Sequence, residues 1–207
     1  MGILTGAISV RRYRAVGTLP EDFRTAFGDA LADHSFREPR EWLPGVEAAG
    51  WCQVHNLLDT DFGDINRWLY NQYLVAALRV DKKSLPGKYF KAHLDKRVAA
   101  WCQEQGRPKC PTAVKNDIKD QLQREMLEKT LPRVATYEFC WDLDSGHVLF
   151  HNSSDKVNDA FRKIFRHTFG VALLPWSPLD FLADDPATAA ALEIQGLSDL
   201  RPDEVTT

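Results

Sequence analysis

The block from Ser84 to Leu131 constrains this chain most, because it reads as two helices bounded by breakers. Ser84-Leu85-Pro86 opens the first. Serine is a good cap, and proline is tolerated in a first turn, where its missing N–H has no helical acceptor. Tyr89 or Phe90, Leu94, Val98 and Trp101 then recur at helical spacing. Gly106-Arg107-Pro108 interrupts that run, and Pro111-Thr112 opens a second with Val114, Ile118, Leu122 and Met126 four residues apart. Leu131-Pro132 ends it, since the residue before a proline is pushed out of the α region. Two helices joined by a short turn make an αα-hairpin. Each stripe is narrow and the other faces are charged, so the hairpin is expected to project from a body built by the flanking segments.

Those flanks read as strands and two amphipathic helices. Ile8, Val10, Tyr13 and Val16 mark a strand over residues 7–16. Pro20 opens a helix whose face is Phe23, Ala26, Phe27, Ala30 and Leu31. Gly50-Trp51-Cys52-Gln53-Val54-His55 gives a short second strand, and Tyr73 to Val80 a third, largely buried. Past the hairpin, Tyr137, Phe139, Trp141 and Leu143 share one parity. Asp144-Ser145-Gly146 turns the chain into Val148-Leu149-Phe150. Ser153-Ser154 caps a helix with Val157, Ala160, Phe161, Ile164 and Phe165 inward; Gly170 ends it, and Val171 to Pro175 is a last strand. The expected fold is α+β. Two antiparallel sheet/helix halves, β-α-β-β over 1–83 and β-β-α-β over 132–182, are linked by the projecting helical hairpin at 84–131, with an acidic tail at 183–207.

The chain has 207 residues, 44% of them hydrophobic, which is enough for a core in one domain or two small ones. No apolar run approaches the roughly 20 residues of a membrane span. Met1-Gly2-Ile3-Leu4-Thr5-Gly6 lacks a basic leader region, and its glycine at position 6 breaks the myristoylation pattern, so a cytoplasmic protein is expected. Cys52, Cys102, Cys110 and Cys140 form no C-x-x-C pair and are expected to be free thiols, although Cys102 and Cys110 flank the hairpin turn.

Net charge is −3, but the charge is unevenly placed. Residues 79–133 hold fourteen Lys and Arg against seven Asp and Glu, whereas the tail after Ser177 is acidic. Such asymmetry speaks about partners rather than fold. The candidate phosphate contacts are Arg79, Lys82, Lys83, Lys88, Lys91, Arg107, Lys109, Lys115, Lys119 and Arg133, with Lys156 and Lys163 on the later helix. Arg133 faces a choice between DNA and the last carbonyls of the preceding helix. In the second hairpin helix Asp120–Arg124 and Glu125–Lys129 have i,i+4 spacing, so part of that helix reads as a solvated face. Phe139 and Trp141 read as core rather than as base-stacking rings.

No catalytic constellation assembles. Asp59, Asp61 and Asp64 cluster without the rest of a calcium loop. Asp142 and Asp144 flank a turn, and His147 and His151 stand roughly 13 Å apart along a strand, too far for one ion. No catalytic residue, metal or cofactor is expected.

The opening residues with Arg12-Tyr13-Arg14, Leu78 to Pro86, Thr130-Leu131-Pro132-Arg133, Trp141, Ser154 to Phe161 and Phe169 to Pro175 form an ordered set. That set, around the charged helical pair, resembles the RdgC family over about residues 1–182, in a short form. The resemblance implies a nucleoid-associated homodimer that binds DNA without sequence preference, double-stranded and also single-stranded. It implies modulation of homologous recombination, in functional antagonism with RecA. Two alternatives stand beside it: a Mg-dependent exonuclease, and a protein-interaction or dimerisation module that does not bind DNA.

Overall fold

The computed structural model describes residues 9–177 and residue 180. The acidic tail expected at 183–207 and the opening residues through Ile8 lie outside the described residues. The elements in order are β1 (Arg11–Val16), α1 (Phe23–Asp33), β2 (Glu47–Cys52), a 3-10 turn at Ile65–Arg67, β3 (Leu69–Tyr70), β4 (Tyr73–Lys82), α2 (Gly87–Glu104), α3 (Thr112–Lys129), β5 (Arg133–Asp142), β6 (His147–Phe150), α4 (Asp155–Phe169) and β7 (Ala172–Pro175). This is the expected α+β succession with one addition, β3. That strand pairs Leu69 with Leu74 and Tyr70 with Tyr73 around Asn71 at φ 55°, a left-handed conformation that asparagine tolerates. Two residues carry no periodicity, so nothing in the sequence announced it. The second strand also lies earlier than expected. It ends at Cys52 because the Gln53 N–H and side-chain amide turn to the carbonyls of Asp59 and Asp61. Among the described residues no helix is long and apolar enough to cross a membrane.

The chain groups into two compact units, and the grouping crosses chain order. Among the described residues, one unit comprises those up to Phe23, Leu69–Val75 and those from Phe139 onward; the other comprises Arg24–Trp68 and Ala76–Glu138. In the first, the strand order is β5-β6-β1-β7, so the N-terminal strand lies among the C-terminal ones. Tyr13, Phe139, Trp141, Val148 and Phe150 are buried on one sheet face. Against them α4 sets Phe161, Phe165 and Phe169, four residues apart. Phe150 stacks on Phe161 at 3.8 Å, and Trp141 meets Phe165 at 5.0 Å. Each buried ring of this kind contributes on the order of 2 kcal/mol. The Tyr13 hydroxyl donates to Asn158 Oδ1 at 2.6 Å, and Asn158 in turn donates to the carbonyls of Asn152 and Ser154. Gly170, at φ 70°, closes α4 in the left-handed conformation.

β7 is the outer strand of this unit. The Trp176 N–H donates to the Arg12 carbonyl. Hydrogen-bonding direction alternates along an antiparallel strand, so Leu174 faces β1 while Leu173 and Pro175 face outward. Proline has no N–H to leave unpaired there, and the Leu173 carbonyl accepts from Arg162 Nε at 3.2 Å.

In the second unit the order is β2-β4-β5. Glu47 through Cys52 pair with Lys82 through Ala77. On the other side of β2, Phe36 N–H donates to the Trp51 carbonyl and Trp51 N–H to that of His34. Gly50 permits this approach, because a Cβ there would lie 2.5 Å from the Phe36 Cα. α2 and α3 bury little: Leu94 on the first, Leu122 and Leu127 on the second. Leu127 fixes the foot of α3 in a cluster with Phe36, Trp42 and Ala48, with Leu85 packed against it.

Candidate nucleic-acid interface

Three of the expected phosphate contacts are engaged within the fold. Arg79 grips Asp81 through Nε and Nη2 at 2.9 and 2.6 Å, donates from Nη1 to the Leu57 carbonyl, and lies over the Phe36 ring at 4.0 Å. Its side chain is 12% exposed and that of Asp81 is 1%. The hydrogen bonds to Asp81 hold the guanidinium above its ordinary pKa. Lys83 is buried, donates to the Leu127 carbonyl at 3.0 Å and sits over Trp42. That carbonyl belongs to the last turn of α3, where helical partners run out, so Lys83 is a helix cap. Lys82 stays exposed but pairs with Glu47, its register partner across β2 and β4, at 2.7 Å. All three therefore already have partners within the fold. Charge counting cannot see which cations a neighbouring strand or helix end has already taken.

The hairpin keeps a different set. Lys88 and Lys91 on α2, Arg107 and Lys109 in the turn, and Lys115 and Lys119 on α3 are all exposed. Among the described residues, the ion pairs involve none of these six. Lys88 and Lys91 are three apart and Lys115 and Lys119 four apart, so each pair shares one side of its helix. Glu125 does not turn to Lys129 as its spacing suggested; both its oxygens take the Arg97 guanidinium from α2. That contact draws the Glu125 carboxyl below the usual glutamate range. Arg133 is exposed at the start of β5, while the Met126 and Leu127 carbonyls in the last turn of α3 are taken by Lys83, the Thr130 N–H and the Thr130 hydroxyl.

The first unit carries its own cations. Lys156 and Lys163 are exposed on α4. Arg162, Lys163 and Arg166 line a cavity of about 450 Å³ with Asp159 and Leu174. Arg12 and Arg14, which the sequence reading left unassigned, stand on the exposed face of β1, opposite Tyr13. The Arg12 guanidinium lies 5.6 Å from the Trp176 ring. Their shared parity, opposite to that of Tyr13, was the signal available. Phe139 and Trp141 are core residues, 0% and 1% exposed.

The carboxylates singled out as nuclease candidates shape turns. Asp59 accepts the Asp61 N–H and the Arg67 guanidinium, and its pKa is lowered by the first and, less, by the second. Asp61 accepts the Gly63 N–H, and Asp64 caps the 3-10 turn through the Asn66 N–H. Asp142 accepts the Asp144 N–H at 3.1 Å and the Ser145 hydroxyl at 2.7 Å. Among the described residues no group of three or more His, Cys, Asp and Glu side chains is placed to hold a metal ion.

A protein-family model described as "RdgC: Putative exonuclease, RdgC" matches residues 13–190. No curated protein matches the chain.

Proposed function

Because the chain belongs to the RdgC family, we propose that it binds DNA without sequence preference, through the α2–α3 hairpin, and modulates homologous recombination by occupying DNA. The observation that carries this reading is the set of six exposed hairpin cations without ion-pair partners among the described residues. Cations of that kind bind a polyanion by releasing its condensed counterions, which supplies nearly all of non-specific affinity. The family resemblance adds a homodimer, action in the nucleoid of the cytoplasm, and antagonism with RecA. No catalytic step or cofactor enters this reading.

The test is a salt titration with unrelated duplexes of equal length. The logarithm of affinity should fall linearly with the logarithm of salt, with one slope for all sequences. Lys88→Glu with Lys91→Glu should weaken every duplex alike and make the slope shallower by roughly 2, about one for each lost phosphate contact. A slope unchanged by the double reversal removes the hairpin from the interface. A stable oligomer that retards no duplex at low salt would instead make the chain a protein-interaction module.

The description of the family as an exonuclease favours a second reading, in which the chain degrades DNA with magnesium as the metal. It predicts DNA degradation that needs Mg²⁺ and disappears in Asp59→Ala or Asp142→Ala. Both carboxylates already serve turns, so those variants also need a check that the fold persists.

A further inference from the structure

Within the hairpin, α2 and α3 leave a recess of about 360 Å³ between Tyr89, His93, Met126 and Lys129. Tyr89 and His93 are one helical step apart, as is Met126 from Leu122 on the facing helix, so two matched rows form the walls. The Arg97–Glu125 ion pair crosses between these rows at one end and neutralises itself. Leu122 and Met126 make the α3 wall apolar, and methionine adapts its shape to a flat aromatic guest.

Tyr89 is unusual in this setting. It is 59% exposed, the one exposed aromatic side chain among the described residues of the hairpin. Its ring touches His93 edge-on at 4.5 Å, an arrangement that provides no parallel stacking partner. The His93 ring nitrogens make no hydrogen bond among the described residues. Lys129 on α3 lines the recess and is exposed. An open aromatic face, unused hydrogen-bonding nitrogens and an exposed lysine together fit a ligand that is flat, polar at its edge and attached to phosphate.

We infer that this recess seats an unpaired nucleobase of a DNA strand, stacked on Tyr89, with Lys129 on a flanking phosphate. The inference rests on the DNA-binding reading and deepens it. A base inside a duplex has both faces stacked and its pairing edge occupied, so only a single strand, a gap or an extruded base presents what the recess takes. Stacking on an aromatic side chain is tolerant of sequence because every base has a π face.

The experiment compares the full chain with Tyr89→Ala and Tyr89→Phe on an oligothymidine single strand, a duplex of equal length, and a single strand carrying one 2-aminopurine. Tyr89→Ala should lower single-strand affinity by roughly tenfold, the scale of one lost stacking contact. It should leave duplex affinity and its salt slope unchanged. Tyr89→Phe should bind like the parent chain, since it keeps the ring. The parent chain and Tyr89→Phe should quench 2-aminopurine fluorescence, and Tyr89→Ala should not. If Tyr89→Ala lowers neither affinity, or lowers both equally, the nucleobase site is overturned while DNA binding stands. If the parent chain binds neither form of DNA, the inference and the DNA-binding reading fall together.

Discussion

Arg79 and Asp81 stand two residues apart on one face of β4, and the guanidinium holds the carboxylate with two parallel hydrogen bonds of 2.9 and 2.6 Å. The pair is enclosed, with side chains 12% and 1% exposed. Removing one partner strands the other charge in a low-dielectric place, which typically costs about 3–5 kcal/mol. Arg79→Met should therefore lower the unfolding free energy in urea by that order. DNA affinity per folded molecule should not change. A selective loss of affinity with stability intact would place Arg79 at the interface after all.

Tyr13→Phe keeps the ring against Phe161 but removes the hydroxyl that serves Asn158 Oδ1. Asn158 is 1% exposed, so water has little access to replace that donor. A buried acceptor left unmade costs about 1–3 kcal/mol. The midpoint of denaturant unfolding should fall accordingly with an unchanged slope, and a midpoint equal to the parent's would show that the bond contributes nothing net.

The Arg97–Glu125 bridge should act as an acid-sensitive clasp between α2 and α3. Hydrogen bonding to Arg97 draws the Glu125 pKa below the ordinary 4.5. A carboxyl depressed in the folded state stabilises the fold fully above its unfolded value, and that stability is lost as pH falls through the folded value. Melting temperatures of the parent and Glu125→Gln should differ near neutrality and converge as pH falls through the depressed carboxyl value. A gap that stays constant down to strongly acidic pH would mean that the carboxylate charge is not what holds the clasp.

Thiol reactivity should sort the cysteines. Burial pushes the thiols of Cys52 and Cys140 up to about 11. At pH 8 they are almost wholly protonated, and the thiol form is a poor nucleophile. Iodoacetamide followed by mass mapping should mark Cys102 and Cys110 in the native protein and reach Cys52 and Cys140 only after unfolding. Early labelling of Cys52, which is fully buried, would show that β2 opens readily.

What the sequence disclosed, and what it withheld, follows the range of the interactions. Val114, Ile118 and Leu122 announce α3 because one period settles a helix. Phe139 and Trp141 share a parity with Tyr137, and that parity put them in the core. Lys83 could not be read as the cap of α3, because its acceptor at Leu127 lies 44 positions along the chain. Glu125 has a local lysine at the right spacing, yet the forked arginine from α2, 28 positions away, takes both its oxygens. β1 belongs with β6 and β7 through pairings such as Tyr13 with Val148 and with Pro175, which no window of neighbouring residues contains. The hairpin cations were legible as a group. The aromatic beside them was taken only as part of a helical stripe, and its exposure emerges once α2 and α3 are set side by side.

The rim formed by β7 has a bearing on crowding. An arriving chain zips onto a sheet by matching a row of vacant backbone donors and acceptors. Here Pro175 brings no donor to the row, and Arg162 has already claimed the acceptor at Leu173. Ordered accretion gains little foothold on that side, and the half-exposed Leu174 beside it can meet another molecule only as a side chain.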